Sequence, residues 1–249
     1  MFGRSAAALR TAPAARMRYT QLGGSGLQVS VVGFGATSYS TDDEAKTLIG
    51  ACLDHGINFF DCAESYSAGD AEVKLGRAFK ELGVPREDIV VSTKLWTSGS
   101  GPNRTGLSAK RVREGTAACL ARLQLEYVDV LLAHRPDDAT PMEETVRAFN
   151  GCLERGQALY WGCSRWPTTL VMEAWEVARR LNLVGPLVEQ GPYSIVGKDD
   201  GAIRPWPFDE PPLCACCPAA RPRGPAPRHA PRDPNDGMPT ALVRLIPAV

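Results

Sequence analysis

Hydrophobic positions between residues 18 and 190 alternate between two spacings along the chain. Short runs of β-branched and aromatic residues are each followed by a stretch whose apolar residues recur at helical spacing, with a period of about 30 residues. The clearest strand-like runs are residues 58–61, 89–94, 128–132, 159–163 and 187–189. This order predicts repeated strand–helix units.

Residues at the helix ends support the same division. Thr41 and Glu44 have the spacing of a capping box, and Gly56 is placed to end the helix that starts there. Thr140 is predicted to cap a later helix, with Pro141 as its first residue.

Alternating strands and helices predict an α/β fold with a parallel sheet covered by helices. An open doubly wound sheet and a closed (β/α)8 barrel both fit this order. The segment Gly33-Phe34-Gly35 is too short to be the GxGxxG fingerprint of a dinucleotide-binding doubly wound fold. The barrel of TIM type is therefore favoured, truncated to about six β/α units.

Three regions follow from composition. Residues 1–16 are rich in Ala and Arg without an acid, which suggests a disordered leader or an organelle transit peptide. Residues 17–197 form the patterned domain. Residues 198–249 hold more than half of the 20 prolines and are expected to be an irregular, disordered Pro/Arg-rich tail. Its apolar run at 242–246 is too short for a barrel element.

Bulk charge and composition exclude some functions. The 28 basic residues balance the 28 acidic ones, so no basic surface argues for a nucleic-acid partner. No apolar run reaches the roughly 20 residues of a transmembrane helix. The eight cysteines show no zinc-site spacing in the patterned region, so no metal is expected.

Polar residues stand where the predicted strands end. In (β/α) barrels the active site lies at the carboxyl ends of the strands, so these side chains should meet at one face. They are Asp61, Tyr66 in the loop beyond it, Lys94, His134, Ser164 and Gln190.

Four of these residues fit the needs of carbonyl reduction. A tyrosine hydroxyl, with a pKa of about 10, keeps its proton at neutral pH and releases it where the phenolate is stabilised. Lys94 would favour the phenolate of Tyr66, and Asp61 would hold the lysine charged and in place. The imidazole of His134 can donate a hydrogen bond to a carbonyl oxygen that gains negative charge.

The segment 58–66, Thr93-Lys94 and the turn His134-Arg135-Pro136-Asp137 resemble the aldo-keto reductase superfamily. Further stretches at 106–108, 122–130, 140–148 and 160–166 are most similar to its branch of voltage-gated potassium channel beta subunits. The resemblance covers about residues 17–196. Nothing after residue 197 resembles the seventh and eighth strands, so we expect a frameshift, intron read-through or alternative transcript there.

The resemblance implies NADP(H) as cofactor and a catalytic set of Asp61, Tyr66, Lys94 and His134. It places cofactor contacts at Ala36, Thr37, Asp61, Lys94, Ser164, Arg165 and Gln190. The expected partner is a small carbonyl substrate in the cytoplasm, or in a mitochondrion or plastid if the leader is a transit peptide. Alternatives are a redox-sensing channel subunit, tetrameric by resemblance, and an inactive fragment.

Overall fold

The computed structural model describes residues 17–37 and 39–191, and the backbone of residues 242–244. The predicted leader and nearly all of the predicted tail lie outside these residues. The described part begins with a hairpin of two antiparallel strands, β1 (Tyr19–Gln21) and β2 (Gln28–Ser30), which the hydrophobic pattern did not predict.

Six parallel strands follow the hairpin and form one sheet. They are β3 (Val32–Gly35), β4 (Phe59–Asp61), β5 (Val90–Leu95), β6 (Val128–Ala133), β7 (Ala158–Ser164) and β8 (Glu189–Gln190). Five helices connect them: α1 (Asp42–Asp54), α2 (Asp70–Leu82), α3 (Ala109–Leu123), α4 (Met142–Glu154) and α5 (Thr168–Arg180).

The spatial order of these six strands is their order in the chain. A doubly wound sheet would reverse its strand order at a switch point, and this sheet does not. The sheet therefore curls as part of a (β/α) barrel, and the predicted truncated barrel architecture is confirmed for the described residues.

A seventh strand, β9 (Leu242–Arg244), pairs antiparallel with β3. The run at 242–246 was predicted to be too short for a barrel element, and β9 is a strand of a different kind. A barrel strand would pair in parallel, so β9 covers the edge of β3 without continuing the β/α repeat.

Side chains of the strands alternate between two apolar cores. The outer core lies between the sheet and the helices and includes Phe60, Val91 and Leu131. The inner core lines the barrel and is closed from below by two hairpin residues; its members are Leu22, Val29, Phe59, Val90, Val130, Leu132 and Val188. These apolar residues fill the lower part of the barrel interior, and polar side chains occupy its upper part, at the carboxyl ends of the strands.

Gly162 allows the inner core to pack. A Cβ atom at this position would overlap the Val188 carbonyl oxygen and lie 2.8 Å from Cδ2 of Leu132. Only glycine fits between these neighbours, because a Cβ at such separations meets repulsion from both sides.

Helix ends agree with the prediction at α1 and differ at α4. Thr41 Oγ1 accepts the backbone N–H of Glu44 at 3.1 Å, which is one half of the predicted capping box. The Glu44 carboxylate accepts the backbone N–H of Ser40, the residue before the N-cap, at 2.6 Å. The predicted Thr140 cap is wrong: α4 has Pro141 as its N-cap, without a side-chain hydrogen bond. The Thr140 hydroxyl donates to Asp137 instead, at 2.6 Å, because that carboxylate organises the preceding loop.

The last parallel strand is shifted from its predicted place. The expected strand at 187–189 is observed as β8, two residues long and centred later in the chain.

No helix in the described part of the chain is long and apolar enough to span a membrane.

Candidate active site

The polar side chains at the strand ends meet at one face because strand residues alternate between the two sides of the sheet. Phe59 on β4 and Val90 on β5 face the barrel interior. Asp61 follows Phe59 by two positions, and Ser92 and Lys94 continue the interior positions of β5. These side chains therefore converge above the inner core.

Asp61 is the centre of a buried hydrogen-bond network. Its Oδ2 atom lies 2.5 Å from Lys94 Nζ and 3.1 Å from Gln190 Nε2. Its Oδ1 atom accepts the hydroxyl of Ser92 at 2.6 Å. With donors on both oxygens, this carboxylate is held in one orientation.

Lys94 joins Asp61 to the candidate proton donor. Its Nζ atom donates to the Cys62 carbonyl oxygen at 2.8 Å and to the Tyr66 hydroxyl at 3.3 Å. It also lies 5.0 Å from the centroid of the Tyr66 ring. A buried ammonium at this distance lowers the energy of a phenolate at Tyr66.

Tyr66 opens a turn with unusual backbone geometry. Ser67 and Ala68 both have left-handed backbone conformations, with φ of 49° and 54°, and Gly69 follows at 93°. Two successive non-glycine residues in this region cost conformational energy, which surrounding contacts must offset. The turn lets the chain leave β4 and enter α2 while Tyr66 stays beside Lys94.

His134 completes the set of four residues. Its ring packs edge-on against Tyr66, with centroids 5.7 Å apart and an interplanar angle of 85°. Burial, with added repulsion from Lys94, Arg135 and Arg165, lowers the pKa of His134 from 6.5 to about 2. The imidazole is therefore neutral at physiological pH and can donate a hydrogen bond from one ring nitrogen.

The predicted cofactor residues at the other side of the site lie on adjoining strand ends. Ser164 Oγ donates to the Gln190 carbonyl oxygen at 2.8 Å. Arg165 is exposed and left-handed, with φ of 58°, and its backbone N–H donates to Glu189 Oε1 at 2.8 Å. Burial raises the pKa of Glu189 from 4.5 to about 7, opposed by the N–H groups of Arg165 and Trp166.

The loop after β3 holds the remaining two predicted contacts. The backbone N–H of Ala36 donates to the Asp61 carbonyl oxygen at 2.7 Å, which places this loop beside the site. The hydroxyl oxygen of Thr37 is buried and makes no hydrogen bond within the described residues. An unpaired buried hydroxyl beside a polar site suits a ligand that supplies the missing partner.

Ser92 was missed by the sequence analysis although a signal for it existed. It lies two positions before Lys94, so strand alternation turns it to the same face. A search for polar residues at every interior position, rather than only the last one, would have found it.

A buried ion pair of Glu64 and Arg111 was also missed. Their side chains are 1% and 3% exposed, and Glu64 Oε1 accepts the backbone N–H of Trp96 at 2.6 Å. Arg111 in turn donates to the Arg104 carbonyl oxygen at 3.2 Å. The pair fixes the loop that follows Lys94, and its 47-residue separation leaves no local sequence signal.

The arrangement agrees with a match to a known family. The sequence profile of the aldo/keto reductase family matches residues 31–204. The chain belongs to the aldo/keto reductase family. The profile match therefore confirms the resemblance to aldo/keto reductases that was inferred from the motifs.

Two plant relatives are similar to the same domain. A protein of Arabidopsis thaliana named "Probable voltage-gated potassium channel subunit beta" is 51% identical over 186 residues. A protein of the same name from Oryza sativa subsp. japonica is 50% identical over 186 residues. Each match covers 73% of this chain and 57% of the relative, so the aldo/keto reductase chain spans little more than half of their length.

Proposed function

We propose that this chain is the catalytic part of an NADPH-dependent reductase of aldehydes or ketones. The observation that carries the proposal is the contact chain from Asp61 through Lys94 to the hydroxyl of Tyr66, with His134 packed against the Tyr66 ring. Reduction of a carbonyl adds a hydride to carbon and a proton to oxygen, giving an alcohol.

Tyr66 is the proposed proton donor. Its hydroxyl gives the proton to the carbonyl oxygen, and the adjacent ammonium of Lys94 stabilises the phenolate that remains. Asp61 keeps Lys94 charged in a place from which water is excluded.

His134 is proposed to orient the substrate. A neutral imidazole can donate a hydrogen bond to the carbonyl oxygen without competing as an acid with Tyr66. Its strongly lowered pKa supports this neutral form throughout the physiological range.

NADP(H) is the proposed cofactor, and several residues fit it. Ser164, Arg165 and Gln190 present two polar groups and one cation at neighbouring strand ends, and Thr37 adds a buried hydroxyl that lacks a partner within the described residues. The bound nicotinamide would supply the hydride. The side chains named here would hold the cofactor, together with Ala36, Asp61 and Lys94.

The test is NADPH oxidation by the full chain with a panel of aldehydes and ketones. Tyr66→Phe removes the proton donor and is expected to lower kcat by about 10²- to 10⁴-fold. Tyr127→Phe is the matched control, because Tyr127 precedes β6 and lies at the opposite end of the strands. Equal rates for wild type and Tyr66→Phe would disprove the assignment of the donor.

The names of the two plant relatives favour a second candidate, association with a potassium channel as a subunit that senses nicotinamide redox state. Co-purification with a plant voltage-gated potassium channel would support it, and the redox state of added nicotinamide should then alter the channel current. A monomer with high reductase turnover and no channel binding would argue against it.

A third candidate is that these residues alone are inactive. Each match covers 57% of the plant relative, so any cofactor contact in the remaining part of that relative lies outside the alignment. Titration of the intrinsic fluorescence with NADPH tests this candidate. Saturable binding by this chain would show that it has not lost its affinity for the cofactor.

A further inference from the structure

Glu189 on β8 contacts the turn that follows β7. Its Oε1 atom accepts the backbone N–H of Arg165 at 2.8 Å, and the same N–H lies 3.0 Å from the Gln190 carbonyl oxygen. The hydroxyl of Ser164 donates to that carbonyl at 2.8 Å. The ends of two strands are thus joined through one carboxylate and one backbone carbonyl.

The joined turn has a conformation that arginine does not adopt without help. Arg165 has φ of 58°, where contacts between Cβ and the backbone disfavour residues other than glycine. Hydrogen bonds to its N–H offset this cost in the folded protein. Removing Glu189 leaves only the longer hydrogen bond to the Gln190 carbonyl oxygen and should weaken the hold on these backbone angles.

Arg165 is one of the proposed cofactor contacts and carries a charge near His134. Arg165 is exposed, and its charge is near enough to His134 to contribute to the lowered pKa of that imidazole, after burial, Lys94 and Arg135. Ser164 precedes it on the same turn. A change in the backbone at 165 would move both proposed cofactor contacts together.

We propose that Glu189 is a positioning residue that holds the turn 164–166 in the form able to bind the dinucleotide. The inference rests on the proposed function, since it assigns Glu189 a part in cofactor affinity. Glu189 acts on the backbone of Arg165 and needs no contact with the cofactor itself.

The surroundings of Glu189 favour a role for its carboxyl oxygens as hydrogen-bond acceptors over a role for its negative charge. Cys163 on β7 and Arg165 on the following turn are its electrostatic neighbours, and burial raises its pKa to about 7. A neutral acceptor of the same shape should therefore preserve the turn.

The test is fluorescence titration of the full chain with NADPH. Glu189→Met keeps the length of the side chain without an acceptor and is expected to raise Kd about tenfold, the effect of losing one buried hydrogen bond. Glu189→Gln keeps a carbonyl acceptor and should bind within about twofold of wild type. Glu176→Met, an exposed carboxylate on α5, controls for loss of charge.

A double-variant cycle tests the route through the backbone. Glycine adopts the left-handed region without steric cost, so in the Arg165→Gly background Glu189→Met should change Kd less than about threefold. An undiminished tenfold change there would overturn the proposal. So would equal losses of binding and thermal stability in Glu189→Met and Glu189→Gln, which indicate a structural role only.

Hydrogen exchange without cofactor separates this inference from the proposed function. Glu189→Met should speed exchange at the amides of Arg165 and Trp166, and Glu176→Met should not. If wild type does not bind NADPH, the proposed function fails and the cofactor role of Glu189 fails with it. If wild type binds and Glu189→Met binds equally well, only the inference fails.

Discussion

Lys94 and Asp61 form an ion pair from which water is almost excluded. Their side chains are 1% and 5% exposed, and the Nζ–Oδ2 distance is 2.5 Å. A pair of this kind gains little over two apolar residues, yet removal of one member leaves a buried charge without its counterion. The pair therefore couples the proposed chemistry to the stability of the barrel.

Lys94→Met is expected to lower the free energy of unfolding by about 3–5 kcal/mol, because Asp61 remains buried and loses its counterion. Urea denaturation monitored by circular dichroism measures this change. Lys46→Met is the matched control, since Lys46 pairs with Glu81 where both side chains are more than 40% exposed. We expect less than about 1 kcal/mol there. Similar losses in both variants would contradict the role of burial.

His134 should make the folded state sensitive to acid. Its pKa is about 2 in the folded protein and 6.5 when unperturbed, so below 6.5 the unfolded chain binds a proton that the folded chain does not. Stability from this group is complete above pH 6.5 and is lost as the pH falls, by at most about 2 kcal/mol between about pH 7 and about pH 5.

Denaturation of wild type and His134→Gln at several pH values measures this contribution. His134→Gln should lose less stability than wild type over the same interval. The exposed His55 provides the control, and His55→Gln should follow the wild-type curve. A His134→Gln curve parallel to that of wild type would show that His134 titrates alike in both states.

Two glycines inside helices should respond in opposite ways to alanine. A Cβ at Gly76 in α2 would overlap the backbone carbonyl of Leu123, at the end of α3. At Gly50 in α1 the nearest atom is Leu82 Cδ2, at 3.8 Å. Gly50→Ala should raise the free energy of unfolding by about 0.5–1 kcal/mol through helix propensity.

Gly76→Ala should lower it by about 1–3 kcal/mol, because α2 and α3 must separate. Thermal unfolding of the two variants checks both signs. A stabilising Gly76→Ala would mean that the two helices do not approach this closely.

Ser92→Ala tests whether Asp61 must be held by both oxygens. The variant removes the 2.6 Å donor to Oδ1, and we expect kcat for carbonyl reduction to fall about tenfold. Ser25→Ala removes a hydroxyl that donates to the Leu22 carbonyl oxygen and accepts the backbone N–H of Leu27, in the hairpin that closes the opposite end of the inner core. Its kcat should match that of wild type, and an equal fall in both variants would argue against a specific effect at Asp61.

The sequence predicts the parts of the site that obey a local period. Asp61, Lys94 and His134 stand at the ends of short strand-like runs, so their position at the strand ends follows from the pattern. The Thr41 cap of α1 is local in the same sense. Family resemblance adds the expected roles, which the geometry accommodates.

Other features could not be predicted because they depend on contacts between distant residues. Thr140 has the chemistry of a cap, but Asp137 competes for its hydroxyl in a loop also joined to Leu107. The carboxylate of Glu189 reaches Arg165 across 24 residues. Side-chain identity gives the ability to form such bonds, while the fold chooses the partner.

The order of strands in the sheet has a consequence for synthesis on the ribosome. Because β4 to β8 each join the strand made just before, every new unit can dock on a finished edge as it emerges. The nascent chain can bring Lys94 to Asp61 long before translation reaches Gln190, the partner of Asp61 129 residues away. Assembly of the network would then proceed in the direction of translation, and the hydrogen bond between Gln190 and Asp61 would form after the others described here.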